Sequence, residues 1–321
     1  MVRNPTGISY LAPVALRGCK VAAEALAIRG RLPGASALAD YWALTKPDVN
    51  LLILITTAAG FCLARSFHLV GFPLLLLVHT VAGTLLVAGG TATLNQYVER
   101  RFDAQMRRTK RRPLAAGRIE PARALWFGIT LSVSGAIYLA VAVNLLASLL
   151  AVLTLLSYLL IYTPLKRKTP LCTLVGAFPG AAPPLIGWAA ASGTLSLDAW
   201  VLYGLVFLWQ FPHFMAIAWM YREDYERAGY MVLPRRKRRN SLMSLQTVLP
   251  SFALIALSFA PLLLGKVGLF YTAGALLFSL AFLYYGVQLA IRKTNAAARR
   301  LLLASIVYLP IVFVAMVIGR M

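Results

Sequence analysis

Residues 72–94 read Phe72-Pro-Leu-Leu-Leu-Leu-Val-His79-Thr-Val-Ala-Gly-Thr-Leu-Leu-Val-Ala-Gly-Gly-Thr-Ala-Thr-Leu94, and the chain continues Asn95-Gln-Tyr-Val-Glu99-Arg-Arg-Phe-Asp103. The first part carries no charge over the roughly 20 residues that a helix needs to cross about 30 Å of hydrocarbon. Runs of the same kind recur near 49–67, 122–143, 145–163, 171–191, 198–220, 246–265, 268–290 and 301–319. The reading is an all-α polytopic membrane protein of nine transmembrane helices. Tight joints are expected at Asn144, at Ser192–Ser196 and at Lys266-Val-Gly268.

Composition agrees. Of 321 residues 60% are hydrophobic and 13% charged, too apolar for a soluble protein. Residues 1–40 form a mixed extension with Pro, Gly and scattered charges. It has no continuous apolar core and no clear cleavage site, so it reads as a poorly ordered or surface-lying tail and not a signal peptide, with a mitochondrial transit peptide as the alternative. Residues 41–321 form one membrane domain.

The net charge of +22 lies in loops between apolar runs, so membrane topology explains it and no nucleic-acid partner is implied. The N-terminal tail and alternate loops hold 29 of the 32 Lys and Arg residues. The positive-inside rule then places the N-terminus and all basic loops in the cytoplasm and the C-terminus outside. The setting is the cell (inner) membrane rather than the mitochondrial inner membrane, with membrane lipid as the immediate partner. Cys19, Cys62 and Cys172 show no metal-ligand spacing and are read as inert.

Asn95, Glu99 and Asp103 fall at i, i+4 and i+8, which stacks three oxygen-bearing side chains on one helix face. Arg107-Arg-Thr-Lys110-Arg111-Arg112 follows. Oxygen ligands followed by fixed cations suit a Mg2+–polyphosphate complex. The plainer reading is a solvated loop whose charges set topology only. A second acidic cluster, Glu223, Asp224 and Glu226, precedes Gly229 and Pro234, where the helix should stop. Those acids could instead merely neutralise nearby bases. The Arg235–Arg239 run reads as an anionic-lipid or topology determinant.

Tyr162-Thr-Pro164-Leu-Lys166-Arg167-Lys168 sets three cations at a membrane edge, where they could reach the same phosphate. Gly176–Trp188, rich in Gly and Pro, allows an irregular span. His213, beside Gln210 and Pro212 inside a span, has three readings: a haem ligand, a proton carrier or an interhelical hydrogen bonder.

Taken jointly, residues 95–118, Tyr162–Thr169, Gly176–Trp188, Pro212-His213-Phe214, Asp224–Gly229 and Leu233-Pro234 resemble the protoheme IX farnesyltransferase (haem O synthase) family, of the UbiA type of intramembrane prenyltransferases. Leu44-Thr-Lys46-Pro47 and Thr56–Gly60 match as well. The resemblance covers residues 41–319. It implies a central cavity among the nine helices and transfer of farnesyl from farnesyl diphosphate to a vinyl group of haem B. The products would be haem O and pyrophosphate, with haem O supplied to a haem A synthase and terminal oxidases.

The resemblance also implies Mg2+ on Asn95, Glu99 and Asp103 and a second ion on Asp224, these four being the catalytic set. Arg107, Lys110, Arg111, Arg112, Lys166 and Arg167 would contact phosphates, and His213 would face the haem. The chain departs from the family pattern at Glu99, commonly Asp, at Arg101, commonly acidic, at Cys172, where Asn is expected, and at Met220, often an acid. Two other readings remain at this point: a prenyltransferase of the same type acting on a quinone precursor, and a transporter or channel with basic gates.

Overall fold

The computed structural model describes residues 33–65, 71–233, 236–265 and 268–319. The extension up to residue 32, Pro234 and the side chains of the Arg235–Arg239 run lie outside the described residues, as do His68 and Lys266. Helix and turn account for the described chain, and no strand occurs in it. A short α1 (Pro33–Leu44) turns at Thr45-Lys46 into α2 (Pro47–Arg65). Then come α3 (Leu74–Asp103), α4 (Pro121–Ala142) and α5 (Leu145–Leu156). The fifth span is split into α6 (Cys172–Gly180) and α7 (Pro183–Ser192). The chain ends with α8 (Leu197–Met220), the short α9 (Arg222–Arg227), α10 (Arg236–Ser258), α11 (Leu269–Arg292) and α12 (Asn295–Gly319).

Nine helical segments among the described residues are long and apolar enough to cross a membrane, so the chain is a multi-pass membrane protein. Helices are the expected answer, because lipid offers no partner for a free backbone N–H or C=O.

Helix α3 is the exception in length. Its 30 residues span about 45 Å at 1.5 Å per residue, some 15 Å more than the hydrocarbon. The Asn95–Asp103 face therefore continues the membrane helix and stands clear at its end. Helix α3 packs chiefly on α4, and glycines let the two backbones meet. A Cβ on Gly90 would run into Ser132 and the Gly128 carbonyl. Small residues at such crossings are the usual means of close packing in lipid.

The split span sits at the centre, with every residue from Pro183 to Ala191 buried. Pro183 and Pro184 lack the N–H that would continue α6, so the helix restarts there. Gln210 of α8 donates to the Ala177 carbonyl at 3.0 Å and braces the break. At the far end, Asn144 caps α5 through Ala147 N (2.9 Å) and also donates to the Ala189 carbonyl (2.8 Å). Arg65 donates to the Ala191 carbonyl at 2.7 Å. Gly193 N also closes on the Ala189 carbonyl at 2.8 Å, so the end of α7 is held both by its own cap and by its neighbours.

Candidate active site

Asn95, Glu99 and Asp103 form one buried column at the end of α3, with exposures of 1%, 6% and 1%. Each rung meets a cation from a different segment. Lys46 Nζ donates to Asn95 Oδ1 at 2.9 Å. Lys166 Nζ donates to Glu99 Oε1 at 2.9 Å. Arg112 donates to both Asp103 oxygens at 2.9 and 2.8 Å. Three basic side chains held beside three oxygen rungs make a site that can take a large anion.

Local structure explains how each cation arrives. Lys46 has a φ of +52°, a strained setting for a side chain that costs of order 1 kcal/mol or more. Gln96 of α3 donates to the Leu44 carbonyl and Asn50 of α2 to the Thr45 carbonyl, both at 2.8 Å, and these bonds hold the turn. Burial, and then the Arg112 charge, lowers the Lys46 ammonium to about 7. Lys166 follows a π-helical turn, Ser157–Tyr162. Such a turn shifts the phase of the helix after it. The Thr163 hydroxyl closes it on the Tyr158 carbonyl (2.8 Å) and accepts from Asn95 Nδ2 (3.3 Å). Tyr162 and Tyr158 then flank Lys166, with ring centroids 4.5 and 5.8 Å from Nζ. Burial alone would lower the Lys166 ammonium; the Glu99 carboxylate reverses this and holds it well above the usual lysine range.

Asp224 supplies the second acid. Its carboxylate takes the Arg227 guanidinium at 3.1 Å and the Arg108 backbone N–H at 3.2 Å. Burial would raise its pKa, but the N–H groups of Arg107 and Arg108 and the Arg227 charge outweigh burial and leave it lowered. Gly229, with a φ of +71°, turns the chain after α9, as its place in the sequence suggested. Met106, Ala228 and Tyr230 pack together with Phe102. Met231 N donates to the Lys166 carbonyl at 2.7 Å. Loops 104–112, 166–168 and 224–231 are thus tied into one cap over the column.

The sequence candidates divide. Lys166, Arg112, Asp103, Glu99 and Asn95 are brought together, and Asp224 joins the loop that follows them through the Arg108 backbone N–H. Arg167 stacks on Phe102, 4.2 Å from the ring. Arg107, Lys110 and Arg111 are exposed on the loop, and the Arg107 charge acts on Asp224. His213 stands apart, about 10 Å below the end of α8 at 1.5 Å per residue. Its Nδ1 shares a 2.7 Å hydrogen bond with Ser305 Oγ of α12, and its ring stacks on Trp209.

Residues the site reading had not named are Lys46, Tyr158, Thr163 and Tyr230. Lys46 had a sequence signal: a cation before Pro47, at the mouth of the first span. Its distance to Asn95 was not legible.

Among the described residues no three His, Cys, Asp or Glu side chains close into a ready-made metal cage. The donors gathered are an amide oxygen and carboxylates. They fit Mg2+, which keeps water and phosphate oxygens in its shell and needs only one or two carboxylates.

The profile of the UbiA prenyltransferase family matches residues 53–314. The chain belongs to that family. Within the UbiA family it is 48% identical over 287 residues to the protoheme IX farnesyltransferase of Solibacter usitatus, covering 88% of this chain and 98% of that one. It is 41% identical to the protein of the same name from Koribacter versatilis, covering 90% and 96%. The fold matches a digeranylgeranylglyceryl phosphate synthase at a TM-score of 0.71, 18% identity and coverage of 88% and 98%. It also matches a UbiA homologue of Archaeoglobus fulgidus bound to GPP and Mg2+, at a TM-score of 0.58, 14% identity and coverage of 87% and 99%. The UbiA fold and prenyltransferase class expected from the sequence are thereby established.

Proposed function

We propose that the chain transfers farnesyl from farnesyl diphosphate to a vinyl group of haem B, giving haem O and pyrophosphate. The observation that carries the donor half is the column of Asn95, Glu99 and Asp103, each rung held by its own cation. The acceptor half rests on the relatives named protoheme IX farnesyltransferase.

Mg2+, when bound, neutralises the diphosphate and eases its departure. Asn95, Glu99 and Asp103 would hold one ion and Asp224 a second. Lys46, Lys166 and Arg112 then turn from these side chains to the phosphate oxygens. Arg107, Lys110 and Arg111, exposed on the loop, and Arg167 beside Phe102 would meet the diphosphate as it enters, and Arg112 alone of the loop cations reaches the column. These basic groups, Lys166 and Arg112 foremost, stabilise charge that builds as the C–O bond breaks. Tyr158 and Tyr162 present ring faces beside Lys166 and keep water from the allylic cation. The terminal vinyl carbon forms the new C–C bond, the cation left on the other vinyl carbon takes one water, and loss of a proton from that water completes the hydroxyethylfarnesyl group. Ser305 fixes His213 Nδ1, which leaves Nε2 for the haem.

The basic loops face the cytoplasm of a bacterial cell membrane in this reading, residues 1–40 precede the membrane domain, and a haem A synthase consumes the product. The test is purified chain with haem B, farnesyl diphosphate and Mg2+, pigments being read by chromatography and mass. Mg2+-dependent haem O is expected. No haem O, but prenylation of an added quinone precursor, would overturn the acceptor.

A further inference from the structure

A second basic site lies at the same end of the bundle, outside the ion-paired column. A cavity of about 280 Å³ opens between α11 and α12, lined by Tyr284, Tyr285, Gln288, Arg292, Thr294 and Arg300. That is room for roughly nine waters. Neither Arg292 nor Arg300 has a hydrogen-bond or ion-pair partner among the described residues. The Thr294 hydroxyl caps α12 through Ala297 N at 3.2 Å, so the positive end of a 25-residue helix also points here. No acid lines the cavity.

The surface below the cavity is patterned too. On α11, Arg292, Gln288, Tyr284, Leu280 and Leu277 recur at steps of four and three and so share one face. On α12, Arg300, Leu303 and Val307 do the same. Leu277, Leu280, Leu303 and Val307 are 65%, 48%, 56% and 53% exposed. Two unpaired cations therefore sit at the mouth, a tyrosine belt lies beneath, and two open apolar stripes run on into the membrane.

We infer that this groove holds one anionic phospholipid, with its phosphodiester between Arg292 and Arg300 and its acyl chains along the two stripes. A free phosphate would use the cations but leave the stripes unexplained. Basic cavities between membrane helices are suited to anionic headgroups. The groove also touches the active-site region: Arg222, next to the Glu223-Asp224 pair, donates to Asn295 Oδ1 at 2.7 Å.

The test uses the full chain in detergent with a photoreactive phosphatidylglycerol or the matching phosphatidylcholine, and maps labelled peptides by mass spectrometry. Wild type is expected to label within residues 277–307 with a preference of roughly thirtyfold for the anionic lipid, from two cations near an anionic headgroup. R292A/R300A should lose most of that preference, and R292K/R300K should keep a good part of it. Lys293 and Arg299 remain in both, so topology is preserved, and the melting temperature checks the fold. R300A alone serves if the double variant does not fold. Equal labelling by the two lipids, or an unchanged preference in R292A/R300A, would overturn the assignment. So would displacement of the lipid by millimolar inorganic pyrophosphate, which would make the occupant a free phosphate.

Discussion

Replacing Lys166 by Met tests the column most directly. The Glu99 and Lys166 side chains are 8% and 13% exposed, and their charges lie 2.9 Å apart. At an effective dielectric near 20 the gross attraction is about 6 kcal/mol, and desolvation of the two ions offsets much of it. Removing one partner leaves the other charge buried and unmatched, which costs about 3–5 kcal/mol. At roughly 2–4 °C per kcal/mol, the melting temperature in detergent should fall by about 6–20 °C. Glu99→Gln in the same chain removes the orphaned charge. K166M/E99Q should return to within about 1 kcal/mol of wild type, a coupling of 2 kcal/mol or more. Farnesyl transfer should not return with it, because both an oxygen rung and a phosphate cation are gone. Thermal melts and the haem O assay on the four proteins give the full cycle. A K166M protein melting within about 1 °C of wild type would refute the view that Lys166 neutralises Glu99 in the folded state. So would failure of E99Q to rescue it.

Other outcomes follow from the same geometry. Asp103→Asn, which removes one carboxylate from the Arg112 fork, should lower haem O formation by about 10²-fold or more at unchanged expression. Arg112→Ala should cost far more activity than Arg111→Ala, since only Arg112 reaches the column; equal losses would mean that the loop rearranges around substrate. Gly187→Ala would push a methyl into the Thr57 carbonyl across the α2–α7 contact, so stability should fall by about 1–3 kcal/mol or folding should fail, read as detergent melting and yield. Asn144→Ala removes the α5 cap and a donor to α7; a loss of about 1–2 kcal/mol is expected, with activity per folded molecule unchanged.

Much of this fold could be read from the chain because lipid leaves few options. Spans of apolar residues must be helices, and their number and approximate limits follow from length. Helix ends were less legible. The run 72–94 continues as helix to Asp103, since the polar residues after it leave the hydrocarbon without leaving the helix. The split of the fifth span was foreshadowed by Pro183 and Pro184, whereas the π-turn before Thr163 had no sequence mark.

Periodicity alone put Asn95, Glu99 and Asp103 on one face, because four-residue spacing is a local property of a helix. Charge clustering pointed to the loops that meet this face, and to Asp224 on a second one. Which cation serves which rung of the column was decided by tertiary structure. Lys46, Lys166 and Arg112 are 49, 67 and 9 residues from their partners. Lys110 and Arg111 look as suitable in sequence as Arg112 but stay exposed on the loop. Ion pairing depends on distances of a few ångströms between segments far apart in the chain. Those distances are set by how α1, α3 and the turn after α5 pack, through the strained Lys46 turn, the Thr163–Asn95 contact and the Met106–Tyr230 cluster.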